Sequence, residues 1–199
     1  MGMKRRVEHG APSGGWEGLT EFKLEPSLTK SFSPLTSARV REIEQALQAE
    51  LPAGYRHLLE TYGACRFVDD VECEAIDTMP ATIAPDNRVG LNFFYGMREQ
   101  ENEVLFWRDE GFAGRIPSEL LTIGQDGTYR QLCIGISGKY RGRIYLWDRY
   151  DELLTDENYL KEHGKPRPPE VSFANVYLLA NSFEEFIGKL ELFVDDDDE

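Results

Sequence analysis

The sequence predicts one α+β domain, in which two helices lead into a mainly antiparallel twisted sheet and a further helix closes the chain against it. Three observations carry this. Apolar residues recur at helical spacing from Val40 to Tyr62 and again from Phe183 to Phe193. Between them, apolar residues alternate or run together over short stretches punctuated by glycines, as strands and hairpins do. A chain of 199 residues that is 41% hydrophobic, 12% aromatic and 29% charged has the size and composition of one globular core.

Residues 1–33 are rich in Gly, Pro and Ser and show no sustained period, so they read as a partly ordered arm that Trp16, Leu19, Phe22 and Leu24 can pin to the body. Thr36 or Ser37 caps the first helix, whose stripe is Val40, Ile43, Leu47 and Leu51. Pro52 suits the first turn of the second helix, because its missing N–H is not needed there. Tyr55, Leu58, Leu59 and Tyr62 share one face of that helix, and Gly63 supplies the left-handed ending. Arg66 to Ile76 reads as strands joined by an acidic turn, Leu91 to Tyr95 as another strand, and Glu99 to Asp109, with Trp107, as a helix. Leu132, Ile134 and Ile136 alternate on one face, whereas Ile144 to Trp147 is apolar on both and belongs at the centre of the sheet. Ser137 to Gly142 makes the hairpin between these two strands. Asp151 to Pro169 is a hydrophilic excursion, after which Val171 to Leu179 returns to the sheet. Ser182 and Glu185 form a capping box for the closing helix, with Phe183, Phe186, Ile187, Leu190 and Phe193 as its stripe. The domain so defined spans 34–194, and 195–199 is an acidic tail.

Charge narrows the function. Twenty-two basic against 36 acidic residues leave a net charge of −14. Residues 1–50 carry seven of each sign, so the whole imbalance lies beyond residue 50, with five charges of it in Asp195 to Glu199. Such a surface repels nucleic acid, whose phosphates need clustered Lys and Arg. It suits a basic protein partner, or serves solubility alone. No stretch approaches the roughly 18 apolar residues of a membrane span. Arg6 stands where the myristoylation pattern wants Ser or Thr. Three cysteines, Cys65, Cys73 and Cys133, form no C-x-x-C pair, which fits a reducing cytoplasm and implies neither disulfides nor zinc.

Catalytic chemistry finds no foothold. His9 falls in the arm, His57 off the apolar face of its helix, and His163 in the excursion. Ser137-Gly138-Lys139 fails the phosphate-loop pattern twice, at Cys133 and at Tyr140. Two acidic patches stand out instead. Asp69, Asp70, Glu72 and Glu74 fit no calcium loop. Strand alternation, however, puts Asp70, Glu72 and Glu74 on one face, where they either are merely solvated or meet a basic partner. Asp148, Tyr150, Asp151 and Glu152 make the second patch, with the same two readings. No catalytic residue, metal or cofactor is expected.

Four motifs then resemble the SUKH superfamily of cell-wall-assembly regulators and bacterial immunity proteins. Leu51, Pro52 and Tyr55 are similar to its L-P-x-x-Y helix ending in Gly, here Gly63. Ile116-Pro117 followed by LTIGQD at Leu121 to Asp126 resembles its middle. GRIYLWD at Gly142 to Asp148 resembles its G-x-I-Y-x-W-D strand, and Ser182 to Ile187 its last helix. Together they cover Pro34 to Phe193 in order. The resemblance implies a SUKH-like fold with no catalytic residue and, among bacterial members, the binding and inhibition of a cognate toxin, often a nuclease. The expectation is therefore a cytoplasmic immunity protein, monomer or homodimer, whose carboxylates face a basic toxin. The alternative is an intracellular scaffold or regulatory binding protein with no toxin partner.

Overall fold

A computed structural model describes residues 4–6, 16–26, 34–96, 112, 114–150 and 155–195. The first helix, α1 (Ser37–Leu47), starts where Thr36 Oγ1 accepts the Arg39 N–H at 3.2 Å. Val40, Ile43 and Leu47 face inward. It ends at Gln48, in the left-handed region with φ 52°. After Pro52, α2 (Ala53–Thr61) buries Gly54, Tyr55, Leu58 and Leu59, and the expected left-handed Gly63 follows with φ 64°. Glu44 ties the two helices together. Its Oε1 accepts from Leu51 N at 2.8 Å and from the Arg56 guanidinium.

Among the described residues, nine strands make one antiparallel sheet: β1 (Lys4–Arg6), β2 (Leu24–Pro26), β3 (Cys65–Glu74), β4 (Arg88–Phe94), β5 (Leu120–Gln125), β6 (Gln131–Gly135), β7 (Ile144–Trp147), β8 (Val176–Ala180) and β9 (Leu190–Asp195). Their order is β1-β9-β3-β4-β5-β6-β7-β8, with β2 beside the first half of β3. The segment expected as strands joined by an acidic turn is thus one long strand. Phe67 to Asp70 bulge out opposite Asn92, between the Arg66↔Phe93 and Val71↔Leu91 pairs. At this bulge β3 changes its outer neighbour, pairing Phe67 with Leu24 of β2 and then Asp70 with Phe193 of β9.

From β5 to β7 the sheet is covered on both faces, which explains why β6 and β7 have no exposed residue. One face carries Val71, Cys73, Leu132, Ile134, Ile144 and Leu146 against α1, α2 and the closing helix, and Leu19 and Phe22 join that core. The other carries Leu120, Cys133, Tyr145 and Trp147 under Phe112, Ile116, Tyr140 and Phe173. Gly135 is required where it stands: a Cβ there would lie 1.8 Å from the Tyr140 carbonyl oxygen.

Two further expectations need correcting. The excursion contains helices α3 (Asp156–His163) and α4 (Pro169–Ser172), so the return to the sheet begins at Val176 rather than Val171. The closing helix α5 (Phe183–Gly188) is short, and the chain then turns into β9. Ser182 Oγ does accept the Glu185 N–H at 3.0 Å, as a capping box requires. Beyond Gly188, however, Leu190, Glu191 and Leu192 take strand periodicity and pair in register with Cys73, Glu72 and Val71 of β3. The helix expected over 99–109, with Trp107, lies outside the described residues, as does the tail at 196–199.

The free edge of β8 is plugged. Ile76 and Asp77 both donate their N–H to Leu178 O at 3.0 Å, and Asp77 Oδ2 accepts Leu178 N–H at 2.7 Å. A charged side chain here denies the edge to another strand. Asp77→Ala is expected to cost about 1 kcal/mol and to introduce concentration-dependent self-association in sedimentation runs. A variant that stays monodisperse at its parent's melting temperature contradicts that role.

Candidate functional site

Alternation along β3 turns Val71 and Cys73 inward and leaves Asp70 and Glu74 exposed, with Glu72 half-buried; Asp69 projects from the bulge. The pairing of β3 with β9 sets Glu72 directly opposite Glu191. Like charges at that spacing repel, and Arg88 of β4 answers both, with Nε 3.2 Å from Glu72 Oε2 and Nη2 2.5 Å from Glu191 Oε2. The outward face of β3 and β9 therefore presents Asp69, Asp70, Glu72, Glu74 and Glu191 with Arg88 among them. Glu191 escapes sequence reading because Leu190 to Phe193 also continues a helical stripe. The alternation of Leu190, Glu191 and Leu192 is the signal that finds it.

The second acidic patch is taken apart. Asp148 is only 3% exposed. Its Oδ1 accepts from Arg130 Nε and Tyr150 N, both at 3.1 Å, while its backbone and Asn175 exchange hydrogen bonds. Asp126, also buried, accepts from Thr128 N at 2.7 Å and Arg130 N at 2.8 Å, and its Oδ2 lies 3.5 Å from Arg130 Nη1. Both carboxylates thus build the β5–β6 hairpin and its junction with β7. Tyr150 is 61% exposed, donates its hydroxyl to Thr128 O at 2.7 Å, and lies under the Arg130 and Arg149 guanidinium groups. Asp151 and Glu152 lie outside the described residues. Four strand spacings separate β3 from β7, roughly 19 Å, so the two patches are separate places.

Among the described residues, no group of three or more His, Cys, Asp or Glu could hold a metal. All three thiols are buried, and desolvation pushes Cys65 and Cys73 up to about 12 and Cys133 higher still, which disfavours the thiolate form. His57 and Thr61 Oγ1 are 3.0 Å apart, and His163 packs on Tyr159. No described helix is long and apolar enough to cross a membrane.

A groove of about 820 Å³ opens on the second face of the sheet. Phe112, Ile116, Leu120 and Phe173 supply apolar surface from the sheet side, and Leu160 of α3 lines the other. Glu119, Asp156 and Glu157 stand around it. Sequence reading passed over α3, because a helix with no buried residue leaves no apolar stripe to detect.

Comparison with known proteins agrees with this architecture. A protein described as "SPbeta prophage-derived uncharacterized protein YokK" from Bacillus subtilis (strain 168) is 24% identical over 181 residues, covering 86% of this chain and 82% of that protein. The sequence model of the SMI1 / KNR4 family (SUKH-1) matches residues 34–189, which takes in both leading helices, the sheet from β3 to β8 and the capped turn of α5. The chain belongs to the SMI1 / KNR4 family (SUKH-1).

Proposed function

We propose that this chain is an immunity protein that binds a cognate toxin in the cytoplasm of the producing cell and neutralises it, without catalysis of its own. The observation that carries the reading is the outward row of carboxylates on β3 and β9, in a chain of net charge −14. A nuclease-type toxin must hold phosphates, and therefore presents clustered cations. Asp69, Asp70, Glu72 and Glu74 offer such a surface a substitute for the phosphates, and Tyr150 is an exposed aromatic of the kind that anchors interfaces. Family membership supports a protein partner in general, and the likeness to a prophage-derived protein is consistent with a place on a mobile element.

The test is to co-express the full chain with the toxin domain of the neighbouring gene, isolate the complex and measure residual toxin activity. Charge complementarity acts mainly on encounter. Asp70→Lys with Glu74→Lys is expected to slow association at least tenfold at low salt while changing dissociation little. An association rate indifferent to ionic strength removes the electrostatic part of the reading. Failure to protect the cell or to form a complex removes all of it and favours a scaffold or regulator.

A further inference from the structure

Helix α3 stands where the core has no use for one. None of its residues is buried, and eight residues are too few to stay helical in water unaided. Yet it is firmly fastened. Thr155 caps it, Asp156 N donates to Gly114 O at 2.9 Å, and Arg167 Nε donates to Asp156 Oδ1 at 2.7 Å. Arg167 Nη2 also reaches the carbonyls of Gly114 and Arg115, each at 3.3 Å. The Arg167 side chain is 3% exposed, so a guanidinium has been withdrawn from water to hold a helix none of whose residues is fully buried. What the fastening produces is the far wall of the groove, with Leu160 left 49% exposed along it.

The lining identifies the occupant. Its floor is mainly apolar, and its described polar groups already have partners: Arg167 on α3 and two carbonyls, Ser172 Oγ on Pro168 O, Ser118 Oγ on Glu119, and the buried Thr122. A small polar ligand would find few fixed partners there, whereas an apolar side chain needs none. Among the described residues, the rim holds three carboxylates against one guanidinium. Of these, Glu157 pairs with Lys161 in a solvent-exposed ion pair that is readily exchanged. We propose that the groove seats a short segment of the partner protein in which one or two large apolar side chains are flanked by lysines or arginines. The apolar side chains enter between Leu160 and Phe173, and the flanking cations meet Glu119, Asp156 and Glu157. This deepens the toxin-binding reading by naming the element of the toxin that docks, and rests on it only for the identity of the partner.

The test needs no toxin. A fluorescein-labelled hexapeptide with two leucines between pairs of lysines is titrated into the full chain at physiological salt, beside a version with serines for the leucines. The leucine peptide is expected to bind at least tenfold tighter than the serine one and to shift the amide resonances of Ile116, Leu120 and Phe173. Leu160→Asp should weaken it about tenfold even though it adds a negative charge, and Leu160→Met should retain it; Leu160 is half exposed, so both variants should keep the parent melting temperature. The proposal is overturned if Leu160→Asp binds as tightly or tighter, if both peptides bind alike, if the shifts fall on β3, or if the parent chain binds neither peptide at millimolar concentration. Toxin inhibition is a separate measurement: full neutralisation by Leu160→Asp overturns the groove as docking site and leaves the immunity role standing.

Discussion

Replacing Arg130 with Met should destabilise the protein by about 3–5 kcal/mol in urea unfolding, a large part of the 5–15 kcal/mol that holds a typical domain together. The guanidinium lies between two carboxylates that are 7% and 3% exposed, Asp126 and Asp148. They do not depend on it equally. Asp126 keeps hydrogen bonds from Thr128 N, Thr128 Oγ1 and the backbone N–H of residue 130 itself, whereas among the described residues Asp148 keeps only the Tyr150 N–H on its carboxylate. Met fills similar volume, so the loss reports an uncompensated buried charge more than a cavity. Combining Arg130→Met with Asp148→Asn should therefore recover more than 1 kcal/mol relative to Arg130→Met alone. Strict additivity of the two single losses, or a cost below about 1 kcal/mol for Arg130→Met, would show that the pair contributes little.

That network also marks the limit of sequence reading at this end of the molecule. Asp148 follows an apolar strand, and an acidic residue there looks like the start of a surface loop. Its burial depends on Arg130, eighteen residues earlier, and on Asn175, twenty-seven later, and no local pattern links them. The β3 carboxylates were legible for the opposite reason. Their exposure follows from alternation with Val71 and Cys73, which is a property of the strand alone.

The same distinction sorts the fold. Thr36, Pro52, Gly63 and Ser182 are local signals, and each stands at the helix boundary it announced. The β3 bulge is set by competition between β2 and β9 for one edge, so it reads locally as a turn. The switch from α5 to β9 is a tertiary decision as well. The Phe183, Phe186, Ile187 and Leu190 stripe is real, and all four are buried, but the last belongs to a strand. A single spacing fits both periods at a junction, and the waiting edge of β3 decides between them.

Phe183→Ala is the variant that tests how α5 earns its place. Phe183 is fully buried, and its ring centroid lies 5.8 Å from Tyr55 of α2, 6.3 Å from Phe94 of β4 and 6.3 Å from Phe186. It is the residue through which α2, α5 and the sheet meet. Removing the ring loses its transfer energy and leaves a cavity that these three elements cannot close together, since α2 is tied to α1 through Glu44 and β4 is held between β3 and β5. The expected cost is about 3–5 kcal/mol, the range for Phe→Ala in a core that does not collapse. Phe183→Leu should cost less than half as much, because most of the volume is restored. Hydrogen exchange separates a local from a global effect: with α5 lodged in the main core, amides of α2 and β4 should lose protection together with those of α5. If only α5 and β9 open while α2 and β4 keep parent protection, the closing elements form an independent unit and Phe183 is not the joint of the core.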